Sequence, residues 1–484
     1  MSVQPTAQTD SSPTASAPVV CVDLDGTLIA SDLLWEPYIA LFKRAPVTAL
    51  RTIAALTRGR AEFKRRVASS IDIDASTLPY RSAVLDYLGQ LHQQGAHLVL
   101  ATASDERYAR AVADHLGLFD ELHASDGQTN LSGRHKAAKL VARFGPGGFS
   151  YVGNDWSDIP VWQAATDSTA VAPTAGLARH LASRQLVSRT VGSNRQVVRG
   201  LFRGIRSYQW VKNLLVFVPL LASHRVDDFR LWFMSVLAFV AFSLCASAIY
   251  LANDILDIES DRRHPRKRFR PFAAGDVSIP AGVGLSVVLL AAAFAVSVVG
   301  LSWKSAGVLL IYLVLTTSYS MALKSKPVVD VFLLTALYVL RVVAGGVATG
   351  IAPSSWLLAF ALFFFLSLAF VKRFTELTAV DGWLPGRGYG QLDAAWMHSI
   401  GTSAGFMAVL VLALYVNSPE VGALYSRPQF LWLLCPILLF WFTRLWFRAG
   451  RGQLHDDPIV DAMKDPFGYL LVGAAAVMLV AAVR

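Results

Sequence analysis

Asn253-Asp254-Ile255-Leu256-Asp257-Ile258-Glu259-Ser260-Asp261 closes an apolar segment and runs directly into Arg262-Arg263-His264-Pro265-Arg266-Lys267-Arg268-Phe269-Arg270. Read as one helix, the stretch places Asp254, Asp257 and Asp261 at i, i+3 and i+7, so all three carboxylates project from one face. Carboxylates crowded at a membrane boundary repel one another unless a cation sits among them. Mg²⁺ suits the position, because it takes oxygen ligands and commonly bridges carboxylates to substrate phosphates. The plainer reading is a solvated acidic helix end followed by a basic loop.

Outward from this stretch the chain divides. Its 484 residues suffice for two or three domains, and the averages of 54% apolar and 16% charged residues cover two unlike halves. Residues 1 to about 200 read as soluble, whereas the remainder is apolar runs separated by short polar stretches. Residues 1–18 are rich in Ser, Thr, Pro and Ala and read as a disordered leader rather than a signal peptide. Cys21, Cys245 and Cys435 stand far apart in apolar contexts, as free thiols would. Nine candidate spans fall at 210–224, 229–252, 280–301, 305–322, 328–349, 354–372, 396–416, 429–447 and 467–483. Loops after the even-numbered spans hold Arg262, Arg263, Arg266, Lys267, Arg268, Arg270, Lys324, Lys326, Lys372, Arg373, Arg387, Arg448, Arg451 and Lys464. The alternate loops hold Arg225, Lys304 and Arg427, with Arg230 at a margin. This bias turns the even loops and the N-terminal half toward the cytoplasm.

Tyr319-Ser320-Met321-Ala322-Leu323-Lys324-Ser325-Lys326-Pro327-Val328-Val329-Asp330 forms a second polar cluster, in the loop after span four. Lys324 and Lys326 there offer point charges to the phosphates of a substrate held between helices. Arg341 lies inside an apolar helix, where a charge is expensive and faces either a ligand cavity or a partner carboxylate. Gly345-Gly346 reads as a close helix contact.

Residues 205–484 resemble the UbiA superfamily of intramembrane prenyltransferases, and most closely its decaprenyl-phosphate phosphoribosyltransferase branch. The resemblance rests on Gln209-Trp210-Val211-Lys212-Asn213, Tyr250 through Gly275, Tyr319 through Asp330, Leu340-Arg341-Val342-Val343-Ala344-Gly345-Gly346, and Lys372-Arg373-Phe374-Thr375-Glu376-Leu377. It implies an all-α membrane domain of about nine helices with Asp254, Asp257 and Asp261 as catalytic, Mg²⁺-holding residues. It further implies substrate contacts from Lys212, Asn213, Asn253, Arg266, Lys267, Tyr319, Lys324, Lys326, Asp330 and Arg341. One position departs. The superfamily's second Asp-x-x-x-Asp begins here with Lys326, leaving Asp330 alone. A lysine suits a donor such as phosphoribosyl pyrophosphate, which carries an additional 5-phosphate, better than a prenyl diphosphate.

In the soluble half, Val19-Val20-Cys21-Val22-Asp23-Leu24-Asp25-Gly26-Thr27-Leu28 is an apolar strand running into two aspartates and a tight turn. Covalent phosphoryl transfer needs that pair: one carboxylate to attack phosphorus, a second to exchange the leaving-group proton. His97-Leu98-Val99-Leu100-Ala101-Thr102-Ala103-Ser104 is a second strand ending in hydroxyls, and Lys136 opens a helix after Gly133. A third strand enters Tyr151-Val152-Gly153-Asn154-Asp155-Trp156-Ser157-Asp158. Strands alternating with helices predict a parallel sheet with ligands at the strands' carboxyl ends. In this order the motifs resemble the haloacid-dehalogenase (HAD) phosphatase superfamily over roughly residues 18–185. The resemblance implies Asp23 as nucleophile, Asp25 as general acid/base, Thr102 and Lys136 as the phosphate-binding pair, and Mg²⁺ among Asp23, Asp25 and Asp158. Asn154 departs from the common Gly-Asp-x-x-x-Asp.

The expected organisation is a leader at 1–18, an α/β HAD-like domain at 19–185 with a helical cap at about 32–90, a basic linker at 186–205, and a UbiA-like domain at 206–484. The linker, with Arg189, Arg195, Arg199 and Arg203, suits a helix lying on anionic lipid rather than a nucleic-acid arm. Taken together, the resemblances imply a bifunctional enzyme of the inner membrane with cytoplasmic sites and no nucleic-acid partner. Its membrane half would pass 5-phosphoribose from phosphoribosyl pyrophosphate to polyprenyl phosphate, and its HAD half would hydrolyse a phosphomonoester. An aromatic-ring prenyltransferase, or a phosphatase with the membrane half as anchor, are the alternatives. Oligomeric state is left open by the sequence.

Overall fold

A computed structural model describes residues 17–192, 197–384, 386–454 and 466–483. The leader up to residue 16, Arg195 and Lys464 lie outside the described residues. Two compact units emerge: residues up to Ile205 together with Leu251–Gly284, and Arg206–Tyr250 together with Leu285 onward. The Asp-rich stretch thus packs with the unit of the soluble fold, although it follows the expected boundary at 205/206.

In the first unit six parallel strands, β1 (Val19–Val22), β2 (His97–Asp105), β3 (Glu121–Ser125), β4 (Ser150–Gly153), β5 (Ser168–Val171) and β6 (Arg189–Val191), form one sheet. Their order is β3-β2-β1-β4-β5-β6. Register is set by Val20 opposite Leu98 on one side of β1 and Ser150 on the other. The inner strands are apolar on both faces because helices cover both, as parallel sheets require. Strand order reverses at β1, so the crevice between the carboxyl ends of β2, β1 and β4 is where a ligand fits. Asp23 and Asp25 follow β1 at that point, Ser104 lies in the last two residues of β2, and Asn154 follows β4.

The helical insertion after β1 comprises α1 (Trp35–Arg44), α2 (Pro46–Ile53) and α3 (Arg60–Ser70). Leu41, Ala49, Phe63, Val67 and Ile71 close a small core of its own. Helix Ser82–Gln93 instead sends Val84 and Leu88 into the core beneath the sheet, so the insertion ends before residue 90. β6 carries the sheet past 185, shortening the linker to helix Val197–Ile205. That helix leaves Val198 and Phe202 exposed.

The second unit is helical. Six described helices are long and apolar enough to cross a membrane: Phe229–Leu256, Ile279–Leu301, Val329–Thr349, Ser355–Thr378, Asp393–Val416 and Pro428–Gly450, the first two running through both units. Three of the nine expected spans differ. Residues 210–224 fold as a 3₁₀ stretch, Ser207–Phe217, and a short helix with Pro219 in its first turn. Helix Trp303–Met321 has a polar end, Thr316-Thr317-Ser318-Tyr319-Ser320, and Pro466–Val483 falls outside the six. Gly345 lies against the Val216 backbone so closely that a Cβ would collide. This is the close packing its sequence suggested.

Candidate active sites

The crevice at the head of β1 is a cavity of about 940 Å³. Asp23, 7% exposed, receives the Lys136 Nζ at 2.7 Å on one oxygen and the Thr27 hydroxyl at 3.3 Å on the other. Lys136 also donates to Tyr151 Oη at 2.9 Å and stands 3.6 Å from Asp158. Asp158 is fixed from behind, accepting from Tyr151 Oη at 2.7 Å and from the Asn154 and Asp155 N–H groups at 3.0 and 3.1 Å. Gly26, at φ +74°, makes the turn between the aspartates and the rest of the loop; any Cβ there would strike the Asn154 amide.

Burial raises Asp23 to about 6, against the pull of Lys136, and raises Asp25 to about 7 with Asp32 and Asp23 adding to the effect. Burial opposes the charge on Lys136, but Asp23 and Asp158 outweigh it and raise its pKa. An ionised carboxylate beside a fixed ammonium, next to a carboxyl able to carry a proton near neutrality, is an arrangement for attack on phosphorus with proton delivery to the leaving oxygen.

Two expected residues are placed differently. Thr102 is fully buried and its hydroxyl accepts the Ser104 N–H at 3.0 Å, so the cavity is lined by Ser104 instead. Asp25, expected among the metal ligands, turns one oxygen to the Leu33 N–H at 2.8 Å and the other to the Ser104 hydroxyl. Among the described residues no three His, Cys, Asp or Glu side chains converge as a metal-holding group. The Asn154 side-chain oxygen, linked to Asp23 through the Thr27 hydroxyl, completes an all-oxygen set with Asp23 and Asp158. That set fits Mg²⁺ with one charge fewer than three carboxylates would bring.

The Asp-rich stretch is not one helix. Phe229–Leu256 ends before Asp257, and a short helix, Ile258–Arg263, begins after it, although the Asp257 and Asp261 N–H groups still reach back four residues. Asp254 and Asp261 remain together, at 3.2 and 2.7 Å from a single Arg270 nitrogen. Asp257 turns to Lys43, at 2.6 Å. Each acid is thus paired with a basic side chain, which a Mg²⁺ ion would have to displace to reach the carboxylate oxygens it binds. Burial raises Asp261, with Arg270 opposing. Arg266 and Lys267 are exposed, and Asn253 is half-buried.

In the second unit, Asn213 and Arg341 meet. The Arg341 Nε donates to Asn213 Oδ1 at 2.8 Å and its Nη2 to Tyr312 Oη at 3.0 Å, and the guanidinium lies 5.0 Å from the Tyr312 ring centre. Asp330 is fully buried, bound by Arg373 at 2.5 Å and by the Tyr389 hydroxyl at 2.6 Å. Tyr319 accepts from Arg373 and Arg387, each at 2.7 Å. Lys326 is exposed, Lys212 and Lys324 half-buried.

Sequence reasoning missed Lys64, whose Nζ reaches from α3 to Ala103 O at 2.6 Å and Asn130 Oδ1 at 3.0 Å at the cavity edge. It also missed Arg270 and Arg373. Both arginines lay inside quoted motifs, and a count of buried acids needing cations would have found them.

Residues 20–163 match the haloacid dehalogenase-like hydrolase family and residues 214–458 the UbiA prenyltransferase family, the latter over half of the chain. The chain is 36% identical to the uncharacterized protein y4nM of Sinorhizobium fredii, over 95% of this chain and 90% of that one. It is 37% identical to the nodulation protein NoeC of Azorhizobium caulinodans, over 54% of this chain and 85% of that one. With the decaprenyl-phosphate phosphoribosyltransferase of Mycobacterium tuberculosis it shares 41% identity, over 37% of this chain and 61% of that one. The chain is an integral membrane protein that belongs to the UbiA prenyltransferase family and carries a haloacid dehalogenase-like hydrolase domain ahead of the family region.

Proposed function

We propose that this protein is a bifunctional membrane enzyme acting on a polyprenyl phosphate. Its UbiA region transfers 5-phosphoribose from phosphoribosyl pyrophosphate, and its HAD-like domain removes the 5-phosphate of that product. One observation supports the pairing most strongly: Phe272, Gly275, Val277 and Ile279, which follow the Asp-rich stretch, line the cavity that holds Asp23 and Asp25.

In the transfer, the bond between ribose C1 and the diphosphate oxygen breaks, a bond from C1 to a lipid-phosphate oxygen forms, and diphosphate leaves. Asp254, Asp257 and Asp261 would hold Mg²⁺ on the leaving group, with Arg266, Lys267, Lys324 and Lys326 as phosphate contacts. Asp330, with both oxygens engaged by Arg373 and Tyr389, supports a donor other than the prenyl diphosphates that need a second metal-binding aspartate. In the hydrolysis, an Asp23 oxygen forms a bond to phosphorus, the ester P–O bond breaks, and Asp25 gives its proton to the departing ribose oxygen. Water then displaces the phosphate from Asp23, with Asp25 taking the proton back. Lys136 keeps Asp23 ionised and aimed. Asp23, Asn154 and Asp158 would hold Mg²⁺ here, and at both centres the ion would supply charge to screen phosphate oxygens from the nearby acids. The lysine- and arginine-rich loops support a cytoplasmic position for both reactions.

Purified full-length protein incubated with phosphoribosyl pyrophosphate and a polyprenyl phosphate tests the transfer through diphosphate release. Release only when the lipid is present supports the reading. Release of diphosphate from a prenyl diphosphate and an aromatic acceptor, and not from this pair, refutes it.

A further inference from the structure

Helix α1 carries two faces with different neighbours. Trp35 and Tyr38 turn into the cavity of Asp23 and Asp25, whereas Ala40, Lys43 and Arg44 lie along the Asp-rich stretch. Ion pairs join that second face to the stretch. Lys43 Nζ donates to Leu256 O at 3.0 Å and pairs with Asp257 at 2.6 Å. Arg44 reaches Glu259 at 2.9 Å. Glu36 takes two Arg262 nitrogens at 2.5 and 2.7 Å, in a pair only 11% and 7% exposed.

We propose that Lys43 and Glu36 are positioning residues for the Asp-rich site, so that the cap of the phosphatase-like domain sets the geometry at which Asp254, Asp257 and Asp261 meet a substrate; this rests on the transfer reaction proposed above. Lys43 acts where the helix breaks. By binding the last carbonyl of one helix and the carboxylate of the next residue, it fixes the hinge between Asp254 and Asp261. Glu36 acts through Arg262, whose Nε holds Ala273 O at 3.0 Å and so closes the basic loop back on the short helix. Gly275, at φ +77°, then passes against Ala30, in the same loop as the catalytic-type aspartates. The two contacts differ in kind. The bidentate, desolvated Glu36–Arg262 pair is a strong structural tie. Lys43, 47% exposed beside an acid 28% exposed, contributes little to folding, because solvent screens it. An exposed pair placed on the acids themselves is where geometry can be altered without unfolding the protein.

The test uses full-length protein in detergent or nanodiscs, with transfer from phosphoribosyl pyrophosphate, hydrolysis of p-nitrophenyl phosphate, and hydrogen exchange of residues 251–263 as readouts. Lys43→Met should lower kcat for transfer at least about tenfold with little change in donor KM, because misplacement rather than binding is lost. It should speed amide exchange around Leu256–Asp261, leave hydrolysis of p-nitrophenyl phosphate unchanged, and be largely rescued by Lys43→Arg. Glu36→Arg and Arg262→Glu should each impair transfer, and the double charge swap should recover it. A wild-type kcat in Lys43→Met overturns the proposal. So does a charge swap no better than its singles in protein that still hydrolyses p-nitrophenyl phosphate. Should wild-type protein transfer nothing from this donor, the reaction is the error, and exchange decides: faster exchange in Lys43→Met upholds the positioning role, and unchanged exchange refutes it.

Discussion

Asp23 with Lys136 and Asp330 with Arg373 are the same chemistry in two regions. Each is a buried aspartate bound by a buried cation, at 2.7 and 2.5 Å respectively. They differ in what else surrounds the acid. Asp23 lines a cavity together with Asp25, Ser104 and Lys136, so a substrate oxygen can compete for the same ammonium. Asp330 is fully enclosed, with one oxygen on the guanidinium and the other on the Tyr389 hydroxyl. A buried ion pair is therefore no evidence of function by itself; access decides which reading applies. Asp254 and Asp261 stand between these extremes, because their Arg270 partner is 27% exposed.

The largest effect that could break this comparison is at the cavity. Asp23→Asn keeps the shape and removes the nucleophile, so p-nitrophenyl phosphate hydrolysis should fall by at least ~10³-fold in steady-state assays. Hydrolysis within tenfold of wild type would reduce Asp23 to the structural rank of Asp330. Next comes Asp257→Ala, which removes a half-exposed carboxylate rather than a core group. Transfer should drop by about two orders of magnitude while expression and melting temperature persist. Near-normal Mg²⁺-dependent transfer would remove the Asp-rich stretch from the reaction.

Asp330→Asn sharpens the contrast from the other side. Arg373 would keep Glu376 but lose its fully buried partner, at a cost of about 1–3 kcal/mol, and the melting temperature in detergent should fall. Unchanged melting with abolished transfer would show Asp330 to be a functional acid after all. The smallest effect is expected at Lys326, which is exposed. Lys326→Asp should raise the KM for phosphoribosyl pyrophosphate only a few-fold, about 1 kcal/mol, since solvent screens the charge. An unchanged KM would show that Lys326 points away from the donor.

Much of this was legible in order along the chain. The apolar run Val19-Val20-Cys21-Val22 leading into Asp23 and Asp25 announced both β1 and the crevice, because a parallel sheet leaves its ligands at the strands' carboxyl ends. The i, i+3, i+7 spacing of Asp254, Asp257 and Asp261 was legible too, but it presumed an unbroken helix. Asp257 sits at a break held by Lys43, more than 200 residues earlier, and no local pattern carries that pairing. Arg373 and Asp330, 43 residues apart, were hidden for the same reason. The direction of the Thr102 hydroxyl, onto the Ser104 N–H, was not legible, because strand position alone does not say whether a hydroxyl faces the crevice or its own turn.

The central claim, that one chain makes a phosphoribosyl lipid and then removes its phosphate, is tested most directly by the lipid itself. Membranes containing wild-type or Asp23→Asn protein, and lacking other phosphatases, would be incubated with labelled phosphoribosyl pyrophosphate, extracted into organic solvent and measured by mass spectrometry. Wild-type membranes should yield polyprenylphosphoryl ribose, and Asp23→Asn membranes the same lipid with its 5-phosphate still attached. Dephosphorylated lipid at equal levels in both would contradict the claim.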